Sequence, residues 1–151
     1  MIKNSQIKPK ALVRNDFVHF QTIPTRWMDN DVYQHVNNVI YYSFFDTAVN
    51  QFLIENGVLD ISKSDTIGLV VETRCNYFDP ISFPDEITSG IRVEKIGKSS
   101  VRYGIGLFKR DDINAAAQGH FVHVYVDRFT KKPVPISPEM KAVLNDITTP
   151  Y

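Results

Sequence analysis

Cysteine is all but missing from these 151 residues, with Cys75 the single example. No disulfide can close within the chain, and such usage fits a reducing compartment. An excess of charge of either sign is missing too. The 17 Lys and Arg are balanced by 17 Asp and Glu, so no global field recruits nucleic acid or an anionic membrane surface. A small ligand with a phosphorylated handle needs only a few local cations and stays open. No apolar run reaches membrane-spanning length. The lysine-bearing start, MIKNSQIKPKALV, has no apolar centre long enough for a signal peptide. The expected location is the cytoplasm, with neither membrane nor nucleic acid as partner. Glycine is sparse, and no phosphate-cradling loop is built from it: Gly104-Ile105-Gly106 falls within a strand pattern with no helix behind it. Repeats, low-complexity tracts and linkers are absent. One domain is expected over 1–151, its core at about 16–130 and a tail at 131–151.

What is present concentrates between Thr25 and Asp46. Arg26, Asp29, Asp31, Tyr33, His35, Asn37 and Asn38 crowd a short polar stretch, which then turns into an aromatic, helix-periodic run. Tyr41, Phe45, Ala48 and Phe52 fall on one stripe at i, i+4, i+7 and i+11, widened by Phe44 and Val49. The asparagines are N-cap candidates and Gly57 is a stop. The spacing predicts one long helix from about Asn38 to Asn56, on the order of 30 Å at the usual rise. A loop bearing carboxylates and an imidazole is thereby delivered to a helix N-terminus. Free N–H donors and partial positive charge there suit a developing oxyanion.

Around this helix the chain reads as sheet. Residues 1–14 form a loose lead-in, and Phe17, His19, Gln21 and Ile23 share one face of a first strand that Pro24 closes. Four further strands follow. The first of them places Ile67, Leu69, Val71, Thr73, Cys75 and Tyr77 on one face and Glu72, Arg74 and Asn76 on the other. Ile87, Ile91 and Val93 line the next, and Val101, Tyr103, Ile105 and Leu107 the one after. In the last, Val122, Val124 and Val126 oppose Phe121, His123 and Tyr125. Gly97-Lys98 marks a hairpin, and a short helix fits near Glu139 to Asn145. The class is α+β: an antiparallel sheet of about five strands wrapped around the helix.

Several tempting centres fail on chemistry. Cys75 lies on an apolar strand face, where a thiol is buried and inert. His120 and His123, three apart on a strand, point to opposite faces and cannot share a metal. Asp29, Asp31 and His35 lack a residue that completes a coordination shell, so neither metal nor cofactor is expected. Asp31 is different. An ionised carboxylate beside helix N–H groups can attack a polarised carbonyl as a nucleophile, or take a proton from water. Asp29 reads as structural, paired with Arg26. His35 is either a hydrogen-bonded loop histidine or a water-positioning group.

The run Arg26-Trp27-x-Asp29-x-Asp31-x-x-x-His35-Val36-Asn37-Asn38-x-x-Tyr41 resembles the strand-to-helix junction of hotdog-fold thioesterases. It is closest to the 4-hydroxybenzoyl-CoA thioesterase-like group, and Gln34 to Asn38 is also similar to plant acyl-carrier-protein thioesterases. The resemblance implies a hotdog fold hydrolysing an acyl-CoA thioester across a homodimer or homotetramer. It makes Asp31 catalytic, with a backbone N–H near Asn38 polarising the carbonyl and His35 beside them. It also implies a nucleotide handle bound at a hairpin end, for which Lys98 and Ser99 are the candidates. The aromatic helix, Tyr41 included, offers an apolar acyl pocket. Two departures stand out: Tyr33, itself a candidate for contact with the substrate, occupies a position where plant enzymes carry Asn, and Asn76 one where they carry Glu. Two other readings accompany the hydrolase. One is a hotdog protein that binds acyl thioesters without cleaving them. The other is a hotdog dehydratase, which the absence of a His followed by Gly and Pro disfavours.

Overall fold

The computed structural model describes residues 8–149. The lead-in before Lys8 and the last two residues of the tail lie outside the described residues. The strands are β1 (His19–Pro24), β2 (Thr66–Tyr77), β3 (Glu86–Ile96), β4 (Ser100–Lys109) and β5 (Ala117–Asp127), with helices α1 (Ile40–Glu55) and α2 (Pro138–Asn145). All five strands join one sheet in the order β1-β3-β4-β5-β2, each neighbouring pair antiparallel. The two earliest strands therefore form the two edges.

Helix α1 lies on one face of this sheet. Its stripe is buried as the period demands, with Tyr41, Phe44, Phe45, Ala48, Val49, Phe52 and Leu53 all inside. Ile87, Ile91 and Val93 from β3 and Val101, Tyr103, Ile105 and Leu107 from β4 meet it in one core. Met140 and Leu144 of α2 join that core. Ser137 caps α2, its side chain accepting from the Met140 N–H at 3.2 Å.

α1 is shorter than expected. Its 16 residues span about 24 Å at 1.5 Å per residue. The asparagines build the turn before it rather than its first turn. The Ile40 N–H donates to the Asn37 carbonyl at 2.9 Å, and the Val39 N–H donates to Asn37 Oδ1 at 3.2 Å. At the far end Gly57 takes φ of 72°, the left-handed conformation that stops a helix.

Two expectations about faces are corrected. The first concerns β2. A bulge between Val70 and Glu72 shifts the alternation by one residue. Gly68 and Val70 pair with Tyr125 and His123, on the same face as Thr73, Cys75 and Tyr77. Ile67 and Leu69 thus turn to the outer face instead of sharing a face with Cys75. The second concerns Phe17. It leaves the His19 face and lies on the outer side of the sheet over two glycines, where a Cβ on Gly90 or Gly106 would come within 2.9 or 2.6 Å of its atoms. With Phe108, Ala115 and Leu12 it forms a small second core. The end of the lead-in is fastened there: the Leu12 N–H donates to Gln118 Oε1 at 2.6 Å, and Gln118 Nε2 donates to the Lys10 carbonyl at 2.8 Å.

β2 is left as an apolar edge. Leu69, Val70 and Val71 are 41%, 48% and 59% exposed, beside backbone groups that no further strand among the described residues pairs. Such an edge is a template for another chain. Among the described residues, no helix is long and apolar enough to cross a membrane.

Candidate active site

The polar stretch after β1 folds into a compact loop because many of its backbone groups find local partners. Trp27–Asp29 makes a single 3-10 turn. The Asp29 carboxylate is completely buried. It accepts from the Arg26 N–H at 2.7 Å and from Arg26 Nε and Nη2 at 3.1 and 2.9 Å. These charge-assisted bonds engage both of its oxygens, and its complete burial leaves it no route to a ligand. Its role is to shape the loop.

Asp31 stands two residues on and is only partly buried. Its Oδ1 accepts from the Tyr33 N–H at 2.8 Å. Its own N–H donates to the His35 carbonyl at 2.9 Å, and its carbonyl takes the Gln34 N–H at 3.0 Å. Gln34 closes this turn at φ of 66°. The second carboxylate oxygen makes no hydrogen bond among the described residues and remains able to meet a substrate.

The loop is fixed to the segment between β2 and β3. The Val36 N–H donates to the Ile81 carbonyl at 2.7 Å, and the Phe83 N–H to Asn30 Oδ1 at 3.0 Å. Between the loop, the start of α1 and the end of β2 lies a depression of about 340 Å³ lined by His35, Val36, Asn38, Tyr41, Tyr77, Phe78, Asp79 and Pro80. The Asn38 N–H makes no hydrogen bond among the described residues, so a free backbone donor stands at the foot of α1. Asp79 is held aside by Lys109, Nζ to Oδ2 at 2.6 Å.

The expected residues divide into three groups. His35, Asn38 and Tyr41 line the same depression, and the turn hydrogen bond ties Asp31 to His35 from just outside it. Tyr41 serves as wall: its ring is buried edge-on against Tyr77 at 4.8 Å, and burial raises its phenol above the usual value. Tyr33 projects into solvent, 79% exposed, so it does not enter the pocket of its own chain. Lys98 and Ser99 are not brought to it either. They occupy the β3–β4 hairpin, beyond the far end of an 11-residue strand whose near end pairs with Pro24. At about 3.3 Å per residue that is roughly 30 Å from the loop.

Tyr77, Phe78, Asp79 and Pro80 were missed. The Asp79-Pro80 break announces that β2 ends there, but nothing local in the sequence says that the break closes over α1. The rejected centres are explained by their surroundings. Burial pushes the Cys75 thiol up to about 11, far from a thiolate at neutral pH. His120 lies on the outer face, its Nε2 2.7 Å from Glu72 Oε1 and its Nδ1 3.0 Å from Arg102. His123 is inside, 3.4 Å from the Tyr125 phenol.

Comparisons with known proteins converge on one family. The model of the thioesterase-like superfamily matches residues 25–144. No curated protein matches the sequence. Among solved structures, the PA5185 protein from Pseudomonas aeruginosa strain PAO1 is 50% identical with a TM-score of 0.90, covering 93% of this chain and 98% of that one. The DHNA-CoA thioesterase from Staphylococcus aureus is 20% identical with a TM-score of 0.76, covering 85% and 89%. The 1,4-dihydroxy-2-naphthoyl-CoA thioesterase Slr0204 from Synechocystis is 14% identical, also at 0.76, covering 87% and 98%. The last two share the fold: one antiparallel sheet, one helix across it. A family match running from the Asp31 loop to α2 places this chain in the thioesterase-like superfamily, with the hotdog fold of that group.

Proposed function

We infer that the protein hydrolyses an acyl-CoA thioester to the free acid and CoA at the junction of the 25–39 loop and α1. One observation carries this reading: of the two aspartates in the loop, Asp29 is sealed by Arg26, whereas Asp31 keeps an oxygen free in the same loop that leads to an unoccupied N–H at the foot of α1. A thioester carbonyl set against the Asn38 N–H gains a donor for the charge that develops on its oxygen. Asp31 then attacks the carbonyl carbon, giving a mixed anhydride that water cleaves after the thiolate has left, or it removes a proton from a water that attacks the carbonyl directly. The CoA thiolate leaves, taking a proton from solvent. His35, at the rim, is placed to hold that water. Membership of the superfamily and the fold shared with DHNA-CoA and 1,4-dihydroxy-2-naphthoyl-CoA thioesterases support the substrate class.

The working unit in this reading is a pair of chains, itself able to double. Two β2 edges joined about a two-fold axis cover Leu69, Val70 and Val71 and run antiparallel. That pairing carries the Thr66 end of one strand towards the Tyr77 end of the other. The partner's Lys98 thereby approaches a pocket that this chain's own Lys98 cannot reach, and supplies the cation for the nucleotide handle.

A panel of aroyl- and fatty acyl-CoA thioesters tests the chemistry. The wild type should turn over at least one of them. Asp31→Asn should lower kcat by two or more orders of magnitude, with KM and melting temperature little changed. Near-wild-type turnover in Asp31→Asn would remove the proposed role, and tight binding with no turnover in the wild type would make this a thioester-binding protein.

A further inference from the structure

Tyr77 closes β2 and takes no part in the chemistry outlined above, yet its phenol reaches across to the start of α1. The hydroxyl donates to the Asn38 carbonyl at 3.1 Å, a contact between residues 39 positions apart. The ring stands edge-on to Tyr41 at 4.8 Å. We propose that Tyr77 is a positioning residue for the thioester-polarising N–H of Asn38, fixing its aim by clamping the peptide that follows it.

The Asn38–Val39 peptide is held at both ends. Tyr77 takes its carbonyl, and Asn37 Oδ1 takes its N–H at 3.2 Å. Together these contacts set ψ of Asn38. The preceding peptide is set by the Asn37 carbonyl, which accepts from the Ile40 N–H at 2.9 Å. The free N–H of Asn38 is left with no soft torsion on either side. A donor fixed in advance costs no reorganisation when charge develops on the thioester oxygen. Asn38 lies ahead of α1, so the helix fixes only the preceding peptide, through the Ile40 N–H, and side chains have to hold the following one. A phenol with its ordinary value of about 10 keeps its proton at neutral pH, and partial desolvation raises that of Tyr77 further. The carbonyl contact needs the hydroxyl alone, whereas the packing against Tyr41 needs only the ring. Phenylalanine separates the two.

This role rests on the thioesterase reading, and the experiment distinguishes their failures. Tyr77→Phe and Tyr103→Phe each delete one phenol oxygen from the sheet. Tyr103 bonds only within the core, to the Tyr125 hydroxyl at 2.7 Å. Against the best substrate of the panel, Tyr77→Phe should lower kcat about tenfold and leave KM within about twofold, less than the loss of a direct oxyanion donor. The Asn38 and Val39 amide signals should move in a 15N-labelled sample. Tyr103→Phe should lower the melting temperature, keep kcat and leave those signals in place. Unchanged kcat in Tyr77→Phe, a loss carried by KM, or unmoved amide signals would each overturn the positioning role while leaving the hydrolase intact. A wild type that hydrolyses no thioester overturns both.

Discussion

Asp29 and Asp31 differ only in which neighbours they can reach, and that difference decides which of them is free for chemistry. The pairing of Asp29 with Arg26 was legible in the sequence, because a three-residue separation across a tight turn brings the groups together. The contact of Tyr77 with Asn38 was not, since it spans 39 positions and depends on how a strand end meets a helix start. A buried histidine gives a prediction at this same scale. His123 is enclosed by Phe121, Tyr103 and Tyr125, and burial lowers its imidazole to about 4. The unfolded chain binds a proton near the ordinary value of about 6.5, and the folded chain resists doing so. Stability is therefore full above about pH 6.5 and falls as pH drops from there towards 4. The loss is of the order of 3 kcal/mol at 1.36 kcal/mol per unit. Melting curves taken between pH 7 and 4 should show this slope, and His123→Phe should flatten it. An identical slope in the variant would assign the effect to other groups.

Among the elements, β2 and α1 were read with unequal success, for a physical reason. A helix stripe tolerates an error of one residue at its ends, so Tyr41, Phe45, Ala48 and Phe52 were placed correctly although the start of α1 was not. A strand tolerates none. One extra residue at Val71 transfers Ile67 and Leu69 to the opposite face, and nothing in an unbroken apolar run marks where that residue sits. The same bulge lies on the edge assigned to pairing between chains. Val70→Lys places a charge on that edge, where the side chain is already half exposed in the single chain. The fold by circular dichroism should persist, the sedimenting species should fall to a monomer, and activity should fall with it. A variant that still sediments as the wild type would mean that the chains associate elsewhere. A monomer with full activity would return the whole site to one chain.

At the scale of the molecule, the proposed reading makes the handle contact a property of a pair of chains, because roughly 30 Å separates Lys98 from the Asp31 loop of its own chain. Lys98→Ala should raise KM for acyl-CoA severalfold with kcat nearly kept, because the handle is held equally in ground and transition states. The effect should shrink in high salt and vanish with a truncated pantetheine thioester, which has no nucleotide. An equal penalty on both substrates would assign Lys98 to hairpin geometry instead. The strand order has another consequence, this one for synthesis. Both edge strands and α1 are made first, and the strands they pack against are made last. Glu55 ends α1, but the sheet that shelters its aromatic stripe is complete only at Asp127, 72 residues later. At about 5–20 residues per second on the ribosome, that stripe emerges roughly 4–14 seconds before its shelter exists. During that interval Phe44, Phe45, Val49 and Phe52 face solvent or a chaperone. The nascent chain, more than the finished protein, should be the form that ribosome-associated chaperones hold, and a circular permutant beginning at β3 should need them less.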